Sequence, residues 1–198
     1  MCRIARVATL CAVAAFAAGC ATTPSHFYTL TPTASATAPP SELSVVVGPV
    51  SIPAGVDQPQ IVVSAAPNQV WPDEFNRWAS PLQSNISSVV TANLVAMLGT
   101  PRVSQFQQGL NAAADYRVAI EVQGFESAPG EAATLNAVWN VRRTKDGKAQ
   151  LGRTTVREPS LEKGYDALVA AHSRALGRMS QDIADAVRAL DRAPRQSD

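Results

Sequence analysis

The apolar positions of this chain switch between continuous runs, strict alternation and steps of three and four. Each pattern predicts a different element. HFYTL (26–30), rich in aromatic and β-branched residues, predicts a first strand. TPTASATAPPS (31–41) has no apolar period and reads as a loop or semi-extended linker. ELSVVVGPVSIP (42–53) is a Val-rich run of the kind a strand buried on both faces requires, with a bulge or break at Gly48-Pro49. PQIVVSAAPNQVW (59–71) offers two short strands about a turn at Pro67-Asn68. Further along, RVSQF (102–106), DYRVAIEVQGFES (115–127) and EAATLNAVWNVRRTKDGKAQLGRTTVREP (131–159) predict strands. Val118, Ile120 and Val122 alternate with Arg117, Ala119 and Glu121, the mark of a sheet with one wetter face. Asp146-Gly147 supplies a hairpin turn.

Two stripes have helical period. Trp78, Leu82, Ile86, Val89/Val90, Leu94 and Met97/Leu98 form the first, ended by Gly99 and Pro101. Asp73 is placed to cap it, and Pro81 fits a first helical turn. The expectation is a short turn through 74–79 and a regular helix from Ser80. Tyr165, Leu168/Val169, His172, Leu176, Met179, Ile183, Val187 and Leu190 form the second stripe. The fold class that follows is α/β: a compact single domain, residues 26–191, with two long amphipathic helices packed on a mixed β-sheet. The passage from 61 to 106 is long enough for a parallel crossover, right-handed by the general rule. Residues 192–198 read as a polar tail.

The amino-terminal segment follows none of these patterns. Arg3 and Arg6 precede an apolar run from Val7 to Ala18. That run is well short of the roughly 20 residues needed to span a bilayer, so it reads as an export signal. Ala17-Ala18-Gly19-Cys20 resembles the bacterial lipoprotein signal. The resemblance implies removal of residues 1–19 and attachment of diacylglycerol and an N-acyl chain to Cys20, with 20–25 as a lipidated tether. Several acyl chains give stable anchoring where one does not. Residue 21 is Ala rather than Asp, which under the common Gram-negative sorting rule implies the outer membrane, with the domain facing the periplasm.

Composition narrows the chemistry. Cys2 and Cys11 leave with the signal, so Cys20 is the one Cys of the processed chain and no disulfide or Cys-based metal site is expected. Formal charge is +1 before processing, and losing Arg3 and Arg6 leaves a chain close to neutral, with no electrostatic case for nucleic acid. Phosphate-binding glycine loops and a G-x-S-x-G elbow are lacking. His26 adjoins the tether and His172 falls on an apolar helix stripe, a spacing that makes no metal site. Asp73-Glu74 beside Trp71 is a conceivable acid/base pair, but acids at a helix start have an ordinary electrostatic reason. No catalytic residue, metal or cofactor beyond the lipid on Cys20 is therefore expected.

Two surface candidates remain. Arg142, Arg143, Lys145 and Lys148 bracket the Asp146-Gly147 turn, either as a solvated hairpin tip or as a contact for phospholipid headgroups or an acidic partner. VWPDEFNRW (70–78) places Trp71, Phe75 and Trp78 close together. Trp78 is expected in the core, as is at least one of the other two, while an exposed Trp71 or Phe75 would be a partner-binding anchor.

FYTL shortly after Cys20, then VVVGPVSIPAGVDQPQIVV, then FNRWASPLQSNISSVVTANLVAML, resembles the PqiC/YmbA group of ABC-type transport auxiliary lipoproteins. Pro-Gln-Ile-Val (59–62) and Trp78-Ala79-Ser80-Pro81-Leu82 are the most specific blocks, and Gln58 stands where many relatives carry a basic residue. The resemblance implies a non-catalytic lipoprotein at the inner leaflet of the outer membrane. There it would dock the MCE-domain protein of an intermembrane lipid transporter, supporting envelope integrity. A ring-shaped homo-oligomer would suit ring-forming MCE partners. Service to another envelope exporter or to cell-wall synthesis is an alternative, and a periplasmic hydrolase a more distant one.

Overall fold

A computed structural model describes residues 23–35, 38–107 and 114–193. The export signal, Cys20 and the end of the polar tail lie outside the described residues. In chain order the elements are β1 (His26–Tyr28), β2 (Val45–Ser51), β3 (Gln60–Ala66), β4 (Gln69–Trp78), α1 (Leu82–Leu98), β5 (Val103–Gln105), β6 (Tyr116–Ala128), β7 (Ala132–Arg143), β8 (Ala149–Pro159) and α2 (Tyr165–Arg192). They form the α/β domain expected, one curled mixed sheet with two helices.

β6 is the spine of the sheet. One of its edges pairs in parallel with β2 along Tyr116–Glu121 and with β3 at Ser127, while the other pairs antiparallel with β7 from end to end. β8 continues antiparallel on β7, and β4 followed by β1 extends the sheet from β3. β2 is flanked on both sides, by β6 and by β5, which explains why its valines run without alternation. Its register steps between Val47 and Val50, across a cis Gly48-Pro49 peptide. Gly48 has φ 124°, and a Cβ there would stand 2.8 Å from the Cβ of Phe106, so glycine alone fits. The passage from β3 through α1 ends in β5, which shares the direction of β2, β6 and β3.

The helices supply the other half of the core. Ile86, Val90 and Leu94 of α1 and Leu176, Met179, Ile183 and Val187 of α2 are fully enclosed. Burying each such side chain is worth about 1.5–3 kcal/mol before entropic costs, more than any difference in helix propensity along these stripes. Asn93 lies inside this interface, accepting from the Thr33 and Ala34 amides at 2.9 and 3.0 Å and donating to Ser180 Oγ at 3.2 Å. The 31–35 segment is thereby strapped across both helices. α1 ends at Gly99 in the left-handed conformation, as its sequence predicts, with φ 63°.

The start of α1 differs from expectation. No turn forms over 74–79 and Asp73 caps no helix: β4 continues to Trp78, Pro81 is extended at φ −49° and ψ 129°, and helical structure begins at Leu82. The cause is pairing from distant chain. β1 lies alongside 76–78, and the Trp78 amide donates to the Pro59 carbonyl at 2.8 Å, so the backbone bonds a turn would leave open are met by a strand. The four-residue step from Trp78 to Leu82 imitated a helix while crossing a strand–helix junction. At the other end, α2 runs to Arg192, just past the expected domain limit at 191.

Candidate functional site

β1 and β4 form one border of the sheet, which the chain enters through residues 23–25. Their register is parallel, His26 beside Asn76 and Tyr28 beside Trp78. β1 covers only the last three residues of β4, so Gln69–Phe75 runs past the start of β1, and among the described residues no strand pairs with it on that side.

The middle of β4 is bent by a local hydrogen-bond cluster. Asp73 Oδ1 accepts from the amides of Phe75 and Asn76 at 2.9 and 2.8 Å and from Asn76 Nδ2 at 3.0 Å. Capping chemistry is present at Asp73, as its residue type suggests, but it closes a kink rather than a helix. Asp73 Oδ2 accepts from the Tyr165 hydroxyl at 2.6 Å, and the Tyr28 hydroxyl donates to Asn76 Oδ1 at 3.0 Å. The Tyr28 and Tyr165 rings lie 5.9 Å apart, which clamps β1, the β4 kink and the first turn of α2 together. Burial pulls the Asp73 carboxyl upward, but the bonds from Tyr165, Asn76 and Phe75 outweigh it and leave the carboxyl below its ordinary value. Burial, then the hydrogen bond to Asp73 and the charge of its carboxylate, raises the Tyr165 phenol. Asp73 is thus committed to holding the border, and Glu74 beside it is exposed.

The kink has a geometric consequence. Gln60 pairs with Arg77, yet Val62 pairs with Pro72, so β4 spends three more residues than β3 over this interval. An odd insertion reverses which face successive side chains occupy. Trp71, opposite the buried Val63, therefore shares the core-side face, whereas Phe75 lies on the other face with Arg77 and Phe27. Trp71 is 50% exposed and Phe75 41%, so neither enters the core, contrary to the expectation for at least one of them; Trp78, at 5%, does. Phe27 and Val70, which sequence reading did not single out, are exposed at the same border. Period-two reading of HFYTL signals Phe27, because Tyr28 and Leu30 turn inward.

The basic hairpin tip is not one surface. Arg142 and Lys145 are exposed, but Arg143 is buried. Its guanidinium forks onto Asp146, Nε to Oδ1 at 3.0 Å and one terminal nitrogen to Oδ2 at 2.5 Å. The other terminal nitrogen donates to the carbonyls of Leu190 and Ala193 at the end of α2, where a helix leaves carbonyls unmatched. Hydrogen bonding from Arg143 holds the Asp146 carboxyl down at about 2. Arg143 is therefore withdrawn from the set of exposed candidates, while Arg142 stays in it.

His172 is fully enclosed. Its Nε2 is 2.8 Å from Ser127 Oγ and its ring stacks on Phe125 at 4.0 Å, while Nδ1 has no partner among the described residues. Burial pushes its pKa down to about 3, so the ring is neutral in the fold. Ser127 and His172 are both buried, and the core reading of His172 stands. His26 is exposed on β1. Among the described residues no cluster of His, Cys, Asp and Glu is arranged to hold a metal ion, and no helix is long and apolar enough to cross a membrane.

The two blocks that carry the sequence resemblance meet. Gln58, Pro59, Trp78, Ser80 and Pro81 line a cleft of about 380 Å³ at the junction of β4 and α1. The amide of Trp78 donates to the Pro59 carbonyl at 2.8 Å and ties the two blocks together.

Against known proteins, residues 28–184 match the model of the ABC-type transport auxiliary lipoprotein component family. The match takes in every strand from the last residue of β1 onward and most of α2. The chain belongs to that family. No curated protein matches the sequence. The fold is similar to that of an uncharacterized protein whose crystal structure covers 83% of this chain and 99% of its own, at TM-score 0.68 and 21% identity. It is also similar to a protein from Xanthomonas campestris, with 85% and 100% covered, TM-score 0.66 and 20% identity.

Proposed function

We propose that this protein is the outer-membrane member of an MCE-type lipid transport system, fixed through acylated Cys20 and docking the periplasm-spanning MCE component. Its contribution is position and binding rather than bond chemistry. The observation that carries the reading is the conjunction of a lipoprotein-like Cys20 with a transport-auxiliary domain beginning only a few residues later. The similarity of the FYTL, PQIV and WASPL blocks to the PqiC/YmbA group supports the MCE assignment. Ala21 supports outer-membrane sorting. A ring of several copies would match the symmetry of an MCE ring.

The test is purification of the tagged protein from cross-linked cells after membrane fractionation. An MCE-domain protein is expected in the eluate and the tagged protein in the outer-membrane fraction. Recovery of a cell-wall synthase or another exporter in place of any MCE protein contradicts the proposal.

A further inference from the structure

We infer that the free end of the β4 border rests in the lipid interface, with Trp71, Phe75 and Val70 as side chains that enter the headgroup region. The inference rests on Cys20 being the lipid anchor, as proposed above.

Three observations support it. The first is reach. Five residues separate Cys20 from His26, the first residue of β1, and an extended chain spans at most about 3.3–3.6 Å per residue, so β1 starts within about 20 Å of the anchored sulfur. The second is direction. β1 runs parallel to β4 and begins level with Asn76, so Gln69–Phe75 extends back past the amino-terminal start of β1. At a strand rise of about 3.3 Å per residue, that overhang covers much of the tether's length. The third is the distribution of apolar side chains. The odd insertion puts Trp71 on one face of β4 and Phe75 with Phe27 on the other, all exposed. A protein docked flat against the sheet would cover one set and leave the other in water. A strand end dipped edge-on into an interface covers both, and aromatic rings are at home at headgroup level. Charge does not oppose it strongly, since Asp73 is bonded to Tyr165 and Asn76, leaving Glu74 as the exposed charge of the overhang.

Trp71 reports on this without a label. Of the three tryptophans, Trp78 and Trp139 are each 5% exposed and Trp71 50%. The full processed protein is reconstituted into phosphatidylethanolamine–phosphatidylglycerol vesicles, some containing lipid brominated close to the headgroup. Mass spectrometry of the same sample reads the lipid on Cys20. The inference expects brominated lipid to quench wild-type emission about twofold more than that of Trp71→Phe, and iodide quenching of Trp71 to fall when detergent is exchanged for vesicles. Phe75→Asp should restore iodide access while the protein remains vesicle-bound through its lipid. A lipidated, vesicle-bound protein whose Trp71 is open to iodide and untouched by bromine overturns this inference alone and leaves the border to a protein partner. Absence of lipid on Cys20 overturns both this inference and the anchoring on which it rests.

Discussion

The β7–β8 hairpin tip and the β4 border reverse what their side chains suggest. The tip carries four cations within a few residues, yet Arg143 is buried against the end of α2. The overhang of β4 carries two large aromatics, yet Trp71 and Phe75 are open to solvent. The difference lies in what the backbone has for neighbours. Arg143 reaches helix-terminal carbonyls that need a donor and an acid that fits its fork, so desolvation is compensated. β4 outruns β1, and among the described residues no strand stands beside its overhang on that side to cover it. Residue type sets what burial would be worth; topology decides whether burial is available.

Two pairs of substitutions sharpen this contrast, taken from the largest effect to the smallest. Within β4, Trp78→Ala should lower unfolding free energy by about 3–5 kcal/mol, whereas Trp71→Ala should cost less than about 1 kcal/mol. Denaturant titration of both variants measures the difference, and equal losses would mean that Trp71 is packed after all. At the hairpin, Arg143→Ala should lower the thermal midpoint clearly, because it strands Asp146 and the Leu190 and Ala193 carbonyls. Arg142→Ala, at the exposed neighbouring position, should stay within about 0.5 kcal/mol of the parent.

The last effect is a slope with pH. His172 is held at about 3 against an ordinary 6.5, so the unfolded chain binds a proton that the folded chain refuses. Stability should therefore fall as pH drops from 6.5 toward 3, and should be complete above 6.5. Asp146, held at about 2 against 3.8, adds a loss of the same sign only at the acid end. Thermal midpoints between about pH 4 and 6.5 isolate the histidine, and His172→Leu should flatten that segment. An unchanged slope in the variant would assign it to other groups.

Much of the fold was legible because its signals are local. The α2 stripe, the Asp146-Gly147 hairpin, the end of α1 at Gly99 and the break in β2 at Gly48-Pro49 each follow from neighbouring residues. The reach of β4 was not legible, because β1 comes from about fifty positions earlier to pair with it, while the Trp78-to-Leu82 step mimics a helix turn. Burial of Arg143 was legible in principle. Leu135, Ala137, Trp139 and Val141 alternate inward along β7, and Arg143 is next in that series. Its charge argued against its phase, and the acid and carbonyls that reconcile them lie outside the strand. The opposed faces of Trp71 and Phe75 depend on a three-residue register shift that no local pattern announces.

Anchoring through Cys20 underlies the proposed role and the orientation of the border. Intact-mass and peptide mass spectrometry of the protein taken from its native membrane tests it most directly. The account predicts an amino-terminal peptide that begins at Cys20 and carries diacylglycerol with an N-acyl chain. An unmodified amino terminus downstream of that residue would contradict it.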